Sequence, residues 1–450
     1  MREEMTKNDR LFREKPVWNA IFSLAIPSCI TILIMTVYNM ADMFFIGQLG
    51  DTAQVAAVSV VGPMFSLTAA VATMLGVGGC SAIAGAAGAG KIGDAKTYAS
   101  LSCYASAGFG IFVAALMFAG TVPVLKILGA NEEIIPYAAS YMRILAVGTP
   151  FMLLSTVLAT LLRADGAIKE GLIGNMVGTV LNIVLDPIFV LGLNKGVAGA
   201  AVATVLGNMV STGFYLHYVI KKSTCLSISF EDAKKKPSSL FYILAVGLPN
   251  GLSSVLGGFA STFSNRLLVQ YGTEAVAAMG AAGKATMVIG MIQMGICMGV
   301  QPMMAYNYGA KNLLRLKEIL KKLGLLSFTL GLIVAAGSFF AKHALIRMFL
   351  KDVTAAAMGE ELVVFLLIAS PVIGFYYLST NFLQATGNAF AAAVVSVLRQ
   401  GLLLIPCLYL MEHLLGFAGI AVAHTIADGV SVMIAIAVCF RQYHMLKKRH

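Results

Sequence analysis

The chain has 450 residues, of which 58% are hydrophobic and only 12% charged, with a mean hydropathy of +0.84 and a formal net charge of +11. Ordinary globular chains carry roughly 25% charged residues, so this chain has too little polar surface to cover itself in water, which excludes a soluble globular protein. The positive charge is not a nucleic-acid signal, because the basic residues sit in loops and follow one side of the apolar segments.

In chain order, apolar runs fall at 17–46, 54–84, 97–122, 136–160, 171–192, 199–220, 241–269, 275–304, 320–341, 357–382, 391–411 and 417–440. Each is long enough to cross ~30 Å of hydrocarbon as a helix. The runs are continuous and lack the ~10-residue alternation of membrane-barrel strands. The predicted fold is therefore an all-α polytopic membrane protein with twelve transmembrane helices. Residues 1–16 form a tail, 17–220 a first lobe of six helices, 221–240 a polar linker, 241–440 a second lobe of six, and 441–450 a second tail. The first run is too long, and too poor in a small-residue cleavage site, to be a removable signal.

Most Lys and Arg lie in the tails, the linker and the even-numbered connections, as with Arg13, Lys91, Arg163, Lys222, Lys311 and Lys447. The positive-inside bias then places both termini and the linker on the cytoplasmic face of the cell's inner (plasma) membrane. The seven cysteines are scattered without paired spacing and read as small core residues.

The two halves repeat one another. Gly196-Val197-Ala198-Gly199-Ala200-Ala201-Val202-Ala203-Thr204 reappears as Gly416-Phe417-Ala418-Gly419-Ile420-Ala421-Val422-Ala423-His424. The same offset pairs Pro27 with Pro249, Gly50 with Gly272, Pro150 with Pro371 and Asn208 with Asp428. An even number of helices per copy makes the repeats parallel, with a pseudo-two-fold axis along the membrane normal and a cleft between the copies. Symmetry of that kind suggests alternating access.

Polar groups at membrane depth are the best functional pointers, because a carboxylate at a helix centre costs about 2.5–3.5 kcal/mol on insertion scales. Asp42 lies late in the first helix, with Asn39 one turn earlier. Asp186 lies in the fifth, one turn after Asn182, and Pro187 directly after it is expected to kink the helix. Thr204, Asn208 and Ser211 stripe the sixth. Two carboxylates with amide and hydroxyl oxygens make a plausible proton or Na⁺ site. The second half has no equivalent pair, since the positions offset from Asp42 and Asp186 fall on Ser264 and near Cys407. Its polar residues at depth include Asn265, Lys284, Gln293, Arg399, His424 and Asp428. Met287, Met291, Met294 and Met298 form a stripe on the eighth helix that suits an adaptable apolar pocket. No HExxH, GxSxG or carboxylate–histidine cluster is present, so an enzyme is not expected.

Three motifs together resemble one family. Tyr38-Asn39-Met40-Ala41-Asp42-Met43-Phe44-Phe45-Ile46-Gly47-Gln48-Leu49-Gly50 is similar to the first helix of multidrug and toxic compound extrusion (MATE) transporters. Leu181 to Phe189 resembles that family's fifth-helix motif, and Gln301-Pro302 with Tyr306-Asn307-Tyr308-Gly309-Ala310-Lys311 resembles the loop after its eighth helix. The likeness runs over essentially the whole chain. It implies a V-shaped pair of six-helix bundles that exports cationic or amphipathic drugs in exchange for H⁺ or Na⁺, with no cofactor and functioning as a monomer. By position, Asp42, Asn182, Asp186 and Thr204 match the cation-coupling residues of the bacterial and archaeal branch. They are also the candidate Na⁺ ligands. Asn39, Asn208, Asn265, Lys284, Met287, Met291, Gln293 and Met294 are the candidate substrate-cleft residues. Some relatives place acidic coupling residues in the seventh and tenth helices. Here Ser264, Asn265 and Gln384 stand there instead, which argues against an ion site in the second half. The alternative function is a flippase for lipid-linked saccharides of the same superfamily.

Overall fold

A computed structural model describes residues 9–49, 51–350 and 352–449. Eleven helices are long and apolar enough to cross a membrane, and a twelfth span is a bent pair, Val353–Ile368 and Ser370–Ala385, which meet at 48°. No strand occurs among the described residues. The fold class read from the sequence holds.

The spans are Val17–Gly47, Thr52–Gly88, Ile92–Ala119, Ile135–Ala164, Ile168–Gly192 and Gly196–Lys222 in the first half. Ser239–Tyr271, Thr273–Gly309, Leu313–Phe340, the bent pair, Ala389–Leu415 and Phe417–Arg449 complete the second. Several overrun their apolar stretches. The ninth begins at Leu313, in a Lys-rich turn capped by Asn312, and the twelfth runs on to Arg449. Lys and Arg are good helix formers, so a helix need not stop where the hydrocarbon does.

By contacts the chain divides into two compact units. The first holds Ile30–Gly247 and the stretch ending at Glu14, and the second holds Lys15–Cys29 with Leu248–His450. The division falls inside the first span, so its opening turns pack with the second half of the chain. In the first unit, Ile46, Val61, Leu125, Met142, Leu145 and Val197 form the buried core. In the second, one cluster gathers around Ala282, Leu362 and Val363, and another around Leu268, Leu404 and Leu408.

The repeated glycine motif has a steric cause. Gly196 and Gly416 adopt φ of +53° and +62°, in the left-handed region that lets the chain turn sharply into the sixth and twelfth spans. Three residues on, a Cβ at Gly199 would lie 2.7 Å from the Phe189 carbonyl, and one at Gly419 would overlap the Met411 carbonyl oxygen. Both copies thus need a bare backbone where the incoming helix crosses the end of its predecessor.

The linker is folded rather than loose. A short helix, Phe230–Lys235, sits between the sixth and seventh spans. Ser100 and Tyr104 of the third span donate to the Ser227 and Ile228 carbonyls at 2.9 and 3.0 Å. Lys236 pairs with Asp94 at 2.6 Å, and this carboxylate raises the lysine's pKa.

Candidate functional site

Close helix crossing assembles the polar site of the first unit. A Cβ on Gly207 would come within 2.6 Å of the Gly178 carbonyl oxygen, so the fifth and sixth spans touch backbone to backbone there. One turn after Gly178 stands Asn182 and one turn before Gly207 stands Thr204, each only 2% exposed. Asn182 Nδ2 donates to Thr204 Oγ1 at 3.3 Å and to Asp186 Oδ1 at 3.4 Å. The Tyr38 hydroxyl reaches Thr204 Oγ1 at 3.2 Å from the first span. Asp42, one turn beyond Tyr38, faces Asp186 within hydrogen-bond reach, and Tyr141 lies beside both.

Asp186 is fully buried. Pro187 follows it, and the helix continues as a π-helical turn over Ile188–Gly192. Wide turns of this kind recur at functional sites. The kink expected at Pro187 therefore takes the form of a change in helix type.

Three buried oxygens in the cluster have no hydrogen-bond partner: Asp42 Oδ1, Asn182 Oδ1 and Asp186 Oδ2. An unpaired buried acceptor carries its full desolvation cost, and two facing carboxylates hold together only with a proton or a cation between them. With the Tyr38 and Thr204 hydroxyls, the donor set is all oxygen, as hard cations require. No group of three or more His, Cys, Asp or Glu suited to a metal occurs among the described residues.

Asn208 donates to the Thr204 carbonyl and accepts from Ser155, both at 2.9 Å. It borders a cavity of about 130 Å³ that also takes in Tyr38, Asn182 and Thr204. Asn39 belongs to the first span, and its side chain lies outside the described residues. Tyr38, Tyr141 and Ser155 are the members that sequence reading passed over. Tyr38 was within reach, being four residues from Asp42 on one helix face.

The remaining candidates lie in the second unit. Asn265, Lys284 and Met287 line a cavity of about 410 Å³ together with Ser264, Arg399, Gln400, His424 and Asp428. Met291 and Met294 are half-buried and do not border it. Gln293 is buried elsewhere: its amide donates to the Ser370 carbonyl at 2.9 Å and the Ser327 carbonyl at 3.4 Å, at the break in the tenth span. The second half also has carboxylates that the comparison with the seventh and tenth helices passed over. Glu360 and Glu361 lie in the first turns of the tenth span, and Glu360 pairs with His343 at 2.6 Å.

A family model described as MatE matches residues 27–188 and again 239–410. The chain belongs to the MatE family. One copy of the model lies in each half, as the internal repeat requires. Among curated relatives, the multidrug export protein MepA of Staphylococcus aureus (strain NCTC 8325 / PS 47) is 29% identical over 429 residues, covering 95% of each chain. A solved structure, the outward-facing conformation of a multidrug resistance MATE family transporter of the MOP superfamily, matches with a TM-score of 0.93 at 27% identity, over 99% of this chain and 100% of that one. A MOP superfamily transporter from Pyrococcus furiosus Vc1 (DSM3638), described by a reverse polarity of its binding pocket, matches with a TM-score of 0.91 at 26% identity, over 99% and 100%. The MatE family members matched are transporters, and this chain is a multi-span membrane transporter like them.

Proposed function

We propose that this MatE-family chain is a secondary multidrug exporter, driven by H⁺ or Na⁺ entering at Asp42, Asn182, Asp186 and Thr204. The observation that carries the reading is the set of three unpartnered buried oxygens on Asp42, Asn182 and Asp186. A proton or Na⁺ satisfies these acceptors, and its departure leaves facing carboxylates that repel. A repelling pair on the first and fifth spans is a direct way to turn ion binding into helix movement.

The exporter reading takes its cargo class from the multidrug export relative, which matches over 95% of the chain. In it, cationic drugs meet Asn208 in the first unit, Asn265, Lys284 and Met287 in the second serve the non-cationic parts of amphipathic cargo, and six-helix lobes alternate access across the bacterial inner membrane. Both termini face the cytoplasm, as the positive-inside bias implies. An internally duplicated transporter needs no second subunit, so the monomer is the working form. The flippase alternative draws no support from these relatives.

The test is uptake of a fluorescent organic cation by proteoliposomes, first under a pH gradient and then under a Na⁺ gradient. Transport driven by one of them, lost in both Asp42→Asn and Asp186→Asn while folding persists, is the expected result. Full transport by both variants would sink the coupling assignment.

A further inference from the structure

We infer that the cavity of the second unit is a binding site for the anionic head of an amphipathic organic carboxylate. The cavity measures about 410 Å³, larger than the one beside Asn182 and Thr204.

Its charge balance is decided by two basic residues, Arg399 and Lys284, and one carboxylate, Asp428. Arg399 donates through Nε to Asp428 Oδ1 at 2.7 Å and lies over the Tyr376 ring at 4.6 Å, so this guanidinium is fixed and its charge matched. Asp428 is thereby committed, and no other carboxylate lines the cavity. Lys284 remains. It forms no ion pair among the described residues, and its Nζ sits 5.5 Å from the centre of the Phe349 ring. An aromatic face compensates an ammonium only in part, so Lys284 leaves one uncancelled positive charge on the wall.

The polar neighbours suit an anion. Arg399 and Gln400 are adjacent in sequence yet both line the cavity, and both lie on the π-helical turn Leu398–Leu403. Asn265 supplies a second side-chain amide. Ser264 and His424 share a hydrogen bond at 3.3 Å and close the wall. Apolar residues, Met279, Met287 and Leu404, provide the surface for a hydrophobic body. A ligand with an anionic head and an apolar body matches both parts. A simple organic cation would meet Lys284 unfavourably.

Its role as a substrate site rests on the exporter reading; the binding itself does not. The test uses the purified full-length protein in phosphatidylcholine nanodiscs, with a dansyl-labelled fatty acid and its methyl ester as probes. Binding is read by fluorescence without any ion gradient, so a failure of the exporter reading leaves this result intact. The acid is expected to bind about tenfold more tightly than the ester, as one charge-assisted contact implies. Lys284→Gln should erase that preference, and Lys284→Arg should keep it. Equal binding of acid and ester by the native protein overturns the proposal, as does a preference that survives in Lys284→Gln. Phosphatidylglycerol added to the discs should not displace the acid; displacement would assign the site to a lipid phosphate instead.

Discussion

The two units place different chemistry at positions related by the repeat. Where the first has Asp42, Thr204 and Asn208, the second has Ser264, His424 and Asp428. In the first, carboxyl groups of Asp42 and Asp186 face each other with acceptors unmatched. In the second, the one cavity carboxylate, Asp428, is spent on Arg399, and Lys284 is the group left over. The glycine pairs Gly196 with Gly416 and Gly199 with Gly419 are kept in both. Duplication thus preserved the backbone crossings, which sterics enforce, and let the side chains diverge in charge.

The largest expected effect comes from erasing the acidic side of that contrast. Asp186→Asn should reduce gradient-driven efflux to background, and intact efflux would show that the first unit's carboxylates are not the coupling pair. Breaking the matched pair of the second unit comes next. Asp428→Asn strands the half-buried Arg399 and should cost about 1–3 kcal/mol of stability, less than for a fully buried pair, read as a lowered thermal midpoint. An unchanged midpoint would mean that the tyrosine rings alone sustain the guanidinium. Gly207→Ala attacks the crossing instead of the charges, driving a methyl toward the Gly178 carbonyl. Overpacking of this kind costs about 1–3 kcal/mol and should weaken efflux in parallel. Undiminished efflux would show that the Asn182–Thr204 spacing tolerates more play than proposed.

The smallest effect is at Asp51, which caps the second span outside the membrane. Its carboxylate accepts from the Gln54 amide and the Ala53 backbone N–H, and those bonds, the Gln54 one first, hold its pKa below the ordinary value. A depressed folded-state pKa means the stabilisation is present above the unfolded carboxylate value and disappears as pH falls through the folded one. Asp51→Asn should therefore lower stability slightly at neutral pH and flatten the acid limb of the stability profile, the two proteins converging at low pH. An equal loss at every pH would mean that the carboxylate's charge plays no part.

Much of this was legible in the sequence because the membrane imposes it. Length and continuity of apolar runs set the twelve spans, and the repeat gave the duplication before any coordinates. Asp42, Asn182, Asp186 and Thr204 stood out because charges and amides at depth are costly and sit at helical spacing. The pattern was silent where contact depends on which faces meet. Tyr38 joins the cluster only because the first span approaches the sixth, and Gln293 leaves the cleft candidates because a helix break offers it a carbonyl. Arg399, His424 and Asp428 could each be read as polar residues at depth, but no spacing rule announces an ion pair formed between two spans.

The broken tenth span has a consequence for how the protein is made. Val353–Ile368 and Ser370–Ala385 have 16 residues each, about 24 Å of helix, so neither half alone reaches across ~30 Å of hydrocarbon. Insertion has to accept the two halves as one segment with an interrupted backbone at its middle. The Gln293 amide that meets the Ser370 carbonyl belongs to the eighth span, which leaves the ribosome earlier. By tying the eighth span to the first residue of the second half, Gln293 holds the bend in place, and its loss should show as a lower yield of folded protein.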